Sequence, residues 1–169
     1  MIAGSLVALR ERRPADVPVA RAWFADPEAM RWTLRTYPGG EYDVPREPLG
    51  WGTVPLTVVD LASGTPIGHC GLGEMSAEHR RALAWLTIGE AAYRGRGYGT
   101  DAMRTLCRWA FDSVNLAKVE LEVIADNAAA VAVYERVGFV REVVRRRALW
   151  VDGAWRDEYL MGLFPEELR

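Results

Sequence analysis

The chain has 169 residues, half of them hydrophobic and 26% charged. That length makes one ordinary domain, 1–169, whose core needs no disulfide or metal staple, and the composition excludes wholesale disorder. The 21 basic and 23 acidic residues leave a formal charge of −2, so no global field favours nucleic acid or an anionic membrane. Lys118 is the only lysine; the other basic residues are arginines. No apolar run reaches the roughly 18 residues of a membrane span. The apolar stretch Leu6 to Leu9 precedes Arg10, Arg12 and Arg13, the reverse of a signal peptide's order, so a cytoplasmic location is expected. Cys70 and Cys107 lack metal-ligand spacing and read as small core residues.

The expected elements follow in order. Gly4 to Arg10 alternates as a first strand. Pro14 opens a helix that sets Val17, Ala20 and Phe24 on one face. Asp26-Pro27 breaks it and starts a short helix with Met30 and Trp32. Residues 36–53, rich in Pro, Gly and aromatics, form a long loop. Val54–Leu61 and Pro66–Leu72 flank a reverse turn and make a hairpin, and Leu83–Ile88 is a third strand. Met103, Leu106, Cys107, Ala110 and Phe111 follow the helical period. Lys118–Ile124 alternates again, with Val119, Leu121 and Val123 on one face and Glu120 and Glu122 on the other. A helix runs from about Asn127 to Arg136 and stops at Gly138. Strands near 139–150 and 154–163 meet at Val151-Asp152-Gly153. This order predicts an α/β domain around one mixed sheet.

The segment Arg94-Gly95-Arg96-Gly97-Tyr98-Gly99 lies between a strand and a helix. Its glycines let backbone N–H groups approach a ligand, and the helix start adds unpaired N–H groups and a positive dipole end. That is a phosphate socket with arginines at its rim; a glycine-rich turn capping a helix has the same sequence. A Walker loop is excluded, because no lysine stands here. Antiparallel strands before the loop weigh against a dinucleotide fold.

The chain resembles the GNAT acetyltransferase superfamily, most closely its ribosomal-protein N-terminal (RimJ/RimL-like) and spermidine acetyltransferase branch. The residues that carry the resemblance are Ile88-Gly89, Tyr93 to Ala102 with Arg94-x-x-Gly97-x-Gly99, Asn127, Tyr134-Glu135-Arg136, and Gly138-Phe139. Arg147, Gly153, Trp155 and Asp157 match the closing hairpin, and Leu9-Arg10 and Asp16 match the opening. The match is strong over 84–163 and thin over 32–53. The resemblance implies a mostly antiparallel mixed sheet with a V-shaped split and helices on both faces. Acetyl-CoA, as co-substrate, would lie in the split. Its pantetheine would pair near Leu86, Thr87 and Ile88, and its pyrophosphate would sit on the amides of Arg94, Gly95, Arg96, Gly97, Tyr98, Gly99 and Thr100.

Acetyl transfer to an amine needs a neutral amine, a polarised thioester and a protonated leaving thiolate. The resemblance puts the acid at Tyr134. Asn127, Val131 and Tyr134 share one helix face, so Asn127 could cap the helix and touch pantetheine while Tyr134 reaches the sulfur. A core aromatic with a satisfied hydroxyl is the alternative for Tyr134. Glu74 leads the candidates for the base, ahead of Glu90, Glu120, Glu122 and His69; a water chain would also serve. Trp32, Tyr37, Tyr42 and Trp51 lie in the poorly matched stretch, where they either shape an acceptor pocket or pack under the loop. Arg145-Arg146-Arg147 reads as a solvated strand face with one member paired to Asp157 or Glu158.

The expected function is direct transfer of acetyl from acetyl-CoA to a primary amine of a protein N-terminus or small molecule. No metal, nucleic acid or membrane takes part, and a homodimer is compatible with the resemblance. The alternatives are another acyl donor, such as succinyl-CoA, and a non-catalytic acyl-CoA-binding module.

Overall fold

The computed structural model describes residues 1–26, 31–32 and 52–169. Among these, eight strands form one sheet: β1 (Ile2–Ala3), β2 (Val7–Glu11), β3 (Thr53–Asp60), β4 (Pro66–Ser76), β5 (Arg81–Ile88), β6 (Lys118–Ile124), β7 (Val140–Val151) and β8 (Ala154–Leu163). Their order is β1-β2-β3-β4-β5-β6-β8-β7. Three α-helices whose full extent lies among the described residues accompany them: α1 (Asp16–Phe24), α2 (Tyr98–Asp112) and α3 (Ala128–Val137). No described helix is long and apolar enough to cross a membrane.

Every neighbouring strand pair is antiparallel except β5 with β6. Those two are parallel, as a helical crossover through α2 requires. Their register holds only for Arg81–Lys118, Ala82–Val119 and Leu83–Glu120. Beyond that point β5 stays paired to β4 as far as Ile88, and β6 stays paired to β8 as far as Ile124. The expected split is therefore present. It opens toward the C-terminal ends of both strands.

Helices cover both faces. Cross-strand partners share a face, so Thr57, His69 and Thr87 lie on one side and Leu56, Cys70 and Leu86 on the other. α1 covers the first face: the Thr57 hydroxyl donates to Asp16, and Phe24 lies against His69 with ring centroids 5.4 Å apart. α2 and α3 cover the second. Met103, Leu106, Cys107, Ala110, Val131 and Tyr134 join Val7, Leu9, Leu72, Leu121 and Val123 in one buried cluster. The apolar periods read from the sequence correspond to these faces.

The strand expected over Gly4–Arg10 begins only at Val7, and a separate short strand, β1, precedes it. Residues 4–6 form a turn between β1 and β2: the Gly4 amide donates to the Val7 carbonyl, and the Ser5 and Leu6 amides leave the sheet for a side chain on α2. α1 starts at Asp16, two residues after Pro14. β4 runs four residues beyond Leu72, through a register shift between Gly73 and Ser76. The short helix expected around Met30 and most of the 36–53 loop lie outside the described residues.

Asp16 ties the first face together. Both its oxygens take Arg10 guanidinium nitrogens at 2.7 Å, and Oδ2 also accepts from the Arg13 amide at 2.8 Å and the Thr57 hydroxyl at 2.8 Å. Burial pushes this carboxyl up, but these donors outweigh it and hold it at about 2. A carboxylate lowered on folding stabilises above its unfolded value, near 4, and loses that contribution as pH falls toward 2. Asp16→Asn should therefore lower stability by about 2 kcal/mol at pH 7 and by about half as much at pH 3. Denaturant melts at the two pH values check this.

Candidate active site

The open end of the split is bounded by the last residues of β5, the loop leading to α2, and the start of α3. Helix α2 begins after Gly97, which sits at φ +89°, in the left-handed region that glycine adopts without strain. No side chain caps this helix. The amides of its first turn, at Tyr98, Gly99 and Thr100, have no acceptor within the helix and are available to an anion. Gly99 presents a bare Cα to the split: a Cβ there would lie 3.8 Å from each of the side chains of Leu86, Ile88 and Val133. β5, the loop and α3 thus meet at one point.

The loop arginines do more than line a rim. Arg94 donates from Nε to the Ile88 carbonyl at 3.0 Å and from Nη2 to the Gly89 carbonyl at 2.7 Å. It also pairs with Asp26 at 3.4 Å. Arg96 donates to the Ala92 carbonyl at 3.2 Å. Arg94 braces the loop against the end of β5 and Arg96 braces it on its own preceding turn, and both leave positive charge beside the free amides. The sequence marked the charge but not the brace, because a donor's acceptor is visible only in three dimensions. Tyr98 points its hydroxyl away from the loop, to Asp60 Oδ1 at 3.3 Å, and stacks edge-on with Tyr93.

Asn127 occupies the N-cap of α3, and its Oδ1 accepts from the Ala130 amide at 3.1 Å. Two turns later Tyr134 is buried, with Phe139 edge-on at 5.9 Å. Among the described residues no group hydrogen-bonds the Tyr134 hydroxyl. Burial raises it to about 12, so the phenol keeps its proton at neutral pH.

The candidate bases separate clearly. Glu74 is exposed on the irregular stretch of β4, at φ +46°, beside the closed end of the split. Glu90 accepts the Trp23 indole N–H at 2.7 Å, so it serves α1 packing. His69 lies beneath α1 against Phe24. Glu120 is bound by Lys118 and Arg81, each at 3.0 Å; burial pushes its carboxyl up, and these two cations bring it below the usual range. Glu122 stands two residues beyond the last β5–β6 pair, on the face opposite Val119, Leu121 and Val123. Arg145 binds Glu122 at 2.5 Å and the buried Glu158 at 3.0 Å. The expected pairing of the arginine run with Glu158 is present.

Trp32 is half-buried, under the Arg31 guanidinium at 5.0 Å. Together with Ile124, Asp126, Val151, Asp152 and Arg156 these two line a cavity of about 40 Å³ beside the open end of β6. Tyr37, Tyr42 and Trp51 lie outside the described residues. Among the described residues no cluster of side chains could hold a metal ion.

Residues 7–140 match the family described as the acetyltransferase (GNAT) domain. The chain belongs to the GNAT acetyltransferase family. It is 40% identical over 101 residues to the N-alpha-acetyltransferase RimI of Mycobacterium tuberculosis, covering 59% of this chain and 60% of that protein. It is 29% identical over 104 residues to the spermidine N(1)-acetyltransferase of Escherichia coli K12, covering 62% of this chain and 55% of that one. These matches span little more than half the length of those relatives. Among solved structures, Mycobacterium smegmatis RimJ in complex with CoA-disulfide superposes with a TM-score of 0.79 at 27% identity, covering 96% of this chain and 83% of that one. Spermidine N-acetyltransferase from Vibrio cholerae, in complex with CoA and spermine, gives 0.84 at 21% identity, with coverages of 96% and 97%. The GNAT fold expected from the sequence is the fold observed.

The Asn127 cap has a measurable worth. Asn127→Ala should lower the stability of the ligand-free protein by about 1 kcal/mol, the usual cost of an N-cap side chain, as read by thermal denaturation.

Proposed function

We propose that this GNAT domain transfers an acetyl group from acetyl-CoA to a primary amine, of a protein N-terminus or a small molecule, by direct attack in a ternary complex. The observation that carries the reading is the convergence at the split: uncapped amides at 98–100, the stretch of β5 from Leu86 to Ile88 that β6 leaves unpaired, and the buried Tyr134. RimI and spermidine acetyltransferase relatives support an amine acceptor.

Acetyl-CoA supplies the activated acyl group. The amides of Gly95 to Thr100 would hold its pyrophosphate, with Arg94 and Arg96 adding positive charge. Leu86, Thr87 and Ile88 would offer backbone groups to pantetheine, and Asn127, at the N-cap of α3, would touch it as the resemblance implies. Tyr134, still protonated at neutral pH, offers its O–H to the leaving sulfur. The chain's own thiols are unsuited to carry an acyl group: Cys70 and Cys107 are fully buried, and burial pushes both thiols well above their ordinary value. That supports direct transfer.

For the base, we favour Glu122 over Glu74. Glu122 lies where the strands have parted, on the face away from Tyr134's core cluster, so acid and base would approach the reacting atoms from opposite sides of the sheet. Arg145 fixes its carboxylate. Trp32 and the small cavity beside Ile124 would belong to the acceptor side.

A panel of amines, scored by CoA release from acetyl-CoA, tests the activity; no turnover on peptides, polyamines or small amines would reject it. Tyr134→Phe should lower kcat by about a hundredfold with CoA binding nearly unchanged. Glu122→Gln should lower kcat by a similar factor, about a hundredfold, while Glu74→Gln stays near wild type. The reverse pattern would move the base to the β4 irregularity.

A further inference from the structure

One buried charge takes no part in the proposed transfer. Asp101, in the second half of the first turn of α2, is 6% exposed. It pairs with no cation among the described residues. Its carboxylate instead gathers the amides of the turn between β1 and β2: Ser5 at 2.9 Å, Leu6 at 2.7 Å and Val7 at 3.0 Å, all to Oδ2, with a second contact from Ser5 to Oδ1 at 3.2 Å. Three backbone donors on one carboxylate make a dense charge-assisted cluster across 94 to 96 residues of sequence.

The turn fits the helix closely. A Cβ at Gly4 would collide with Thr105 Oγ1 and lie 2.6 Å from Asp101 Oδ2, so only glycine allows this approach. Leu6 extends past Asp101 to the loop itself, and its Cδ1 is 3.5 Å from where a Gly97 Cβ would stand. The Asp101 amide in turn donates to the Gly97 carbonyl at 3.0 Å. The Tyr98 hydroxyl adds a second tether, to Asp60 at the end of β3. The first turn of α2 is thus bolted to the far edge of the sheet on the side away from the split.

We infer that Asp101 is a positioning residue for the phosphate loop: by binding the 5–7 amides it fixes the direction of the amides at 95–100 before CoA arrives. The inference rests on the acetyl-CoA reading above. Preset donors matter because a loop that must order on binding spends part of its interaction energy on that ordering. An asparagine has the same shape and can keep its oxygen at the Oδ2 position, but it carries no charge there and its NH₂ would face the Ser5 N–H now on Oδ1, donor against donor.

The test compares wild type with Asp101→Asn, both confirmed as folded by circular dichroism. CoA binding is measured by calorimetry, and steady-state constants are measured with a responsive amine. The variant should bind CoA about tenfold more weakly and raise the KM for acetyl-CoA about tenfold, with kcat and the amine KM within about twofold. Hydrogen exchange at the 95–100 amides should quicken in the free variant. A lower melting temperature with unchanged CoA affinity would overturn the inference, leaving Asp101 a purely structural residue. Wild type that binds no CoA would instead remove the acetyl-CoA reading, and this inference with it. If Asp101→Asn does not fold, Leu6→Ala takes its place, since Leu6 is already 40% exposed. It removes the packing on Gly97 and should weaken CoA binding about threefold; unchanged affinity would overturn the inference.

Discussion

Strands β5 and β6 share only three residue pairs before each follows its own antiparallel neighbour, β4 on one side and β8 on the other. The opening this leaves inside an otherwise continuous sheet governs the rest of the molecule. Backbone groups within a sheet ordinarily satisfy one another, and a gap in the ladder leaves donors and acceptors exposed. A ligand with an amide-bearing arm can complete such a ladder. The same parting separates two chemical environments. Tyr134 lies in the apolar cluster beneath α2 and α3, and Glu122 lies among ion pairs on the opposite face.

The elements around the opening are fixed by interactions at some distance from it. Arg94 grips the Ile88 and Gly89 carbonyls, so the loop cannot drift from the end of β5. Asn127 caps α3 and sets the helix face that carries Val131 and Tyr134. Asp16, through Arg10 and Thr57, locks α1 across β2 and β3. Lys118 is held between Glu120 and Glu142 at the closed end. With the only lysine committed there, arginine and backbone amides are left to supply positive potential at the open end. The charge total near zero is thus made largely of local pairs, while the start of α2 keeps a positive pole where an anion would bind.

Much of this was legible in the sequence. The strand and helix periods from Val54 to Leu163 marked the elements, since each has one apolar face and a fixed period. Gly97, Gly99 and Asn127 stood out because glycine at a helix start and a capping asparagine have physical signatures within ten residues, whereas Tyr134 was singled out by the family resemblance, its residues alone reading equally as a core aromatic. Other features depended on distant partners. The β1–β2 turn looked like strand because nothing local shows its amides turning to Asp101. Glu90 and Glu122 looked equivalent; the structure pairs one with the Trp23 indole and the other with Arg145. Glu74 drew interest from its place after an apolar run, whereas the structure shows it exposed on a backbone irregularity.

If the parted strands and the loop after them form the CoA slot, CoA must protect their amides from solvent. Amide hydrogen exchange on the whole protein, with and without CoA, tests this most directly. Protection on adding CoA is expected at Leu86 to Ile88 and at Gly95 to Thr100, with β1 to β3 and β7 unchanged. Saturable CoA binding that left those amides exchanging as before, or that protected a different surface, would contradict it.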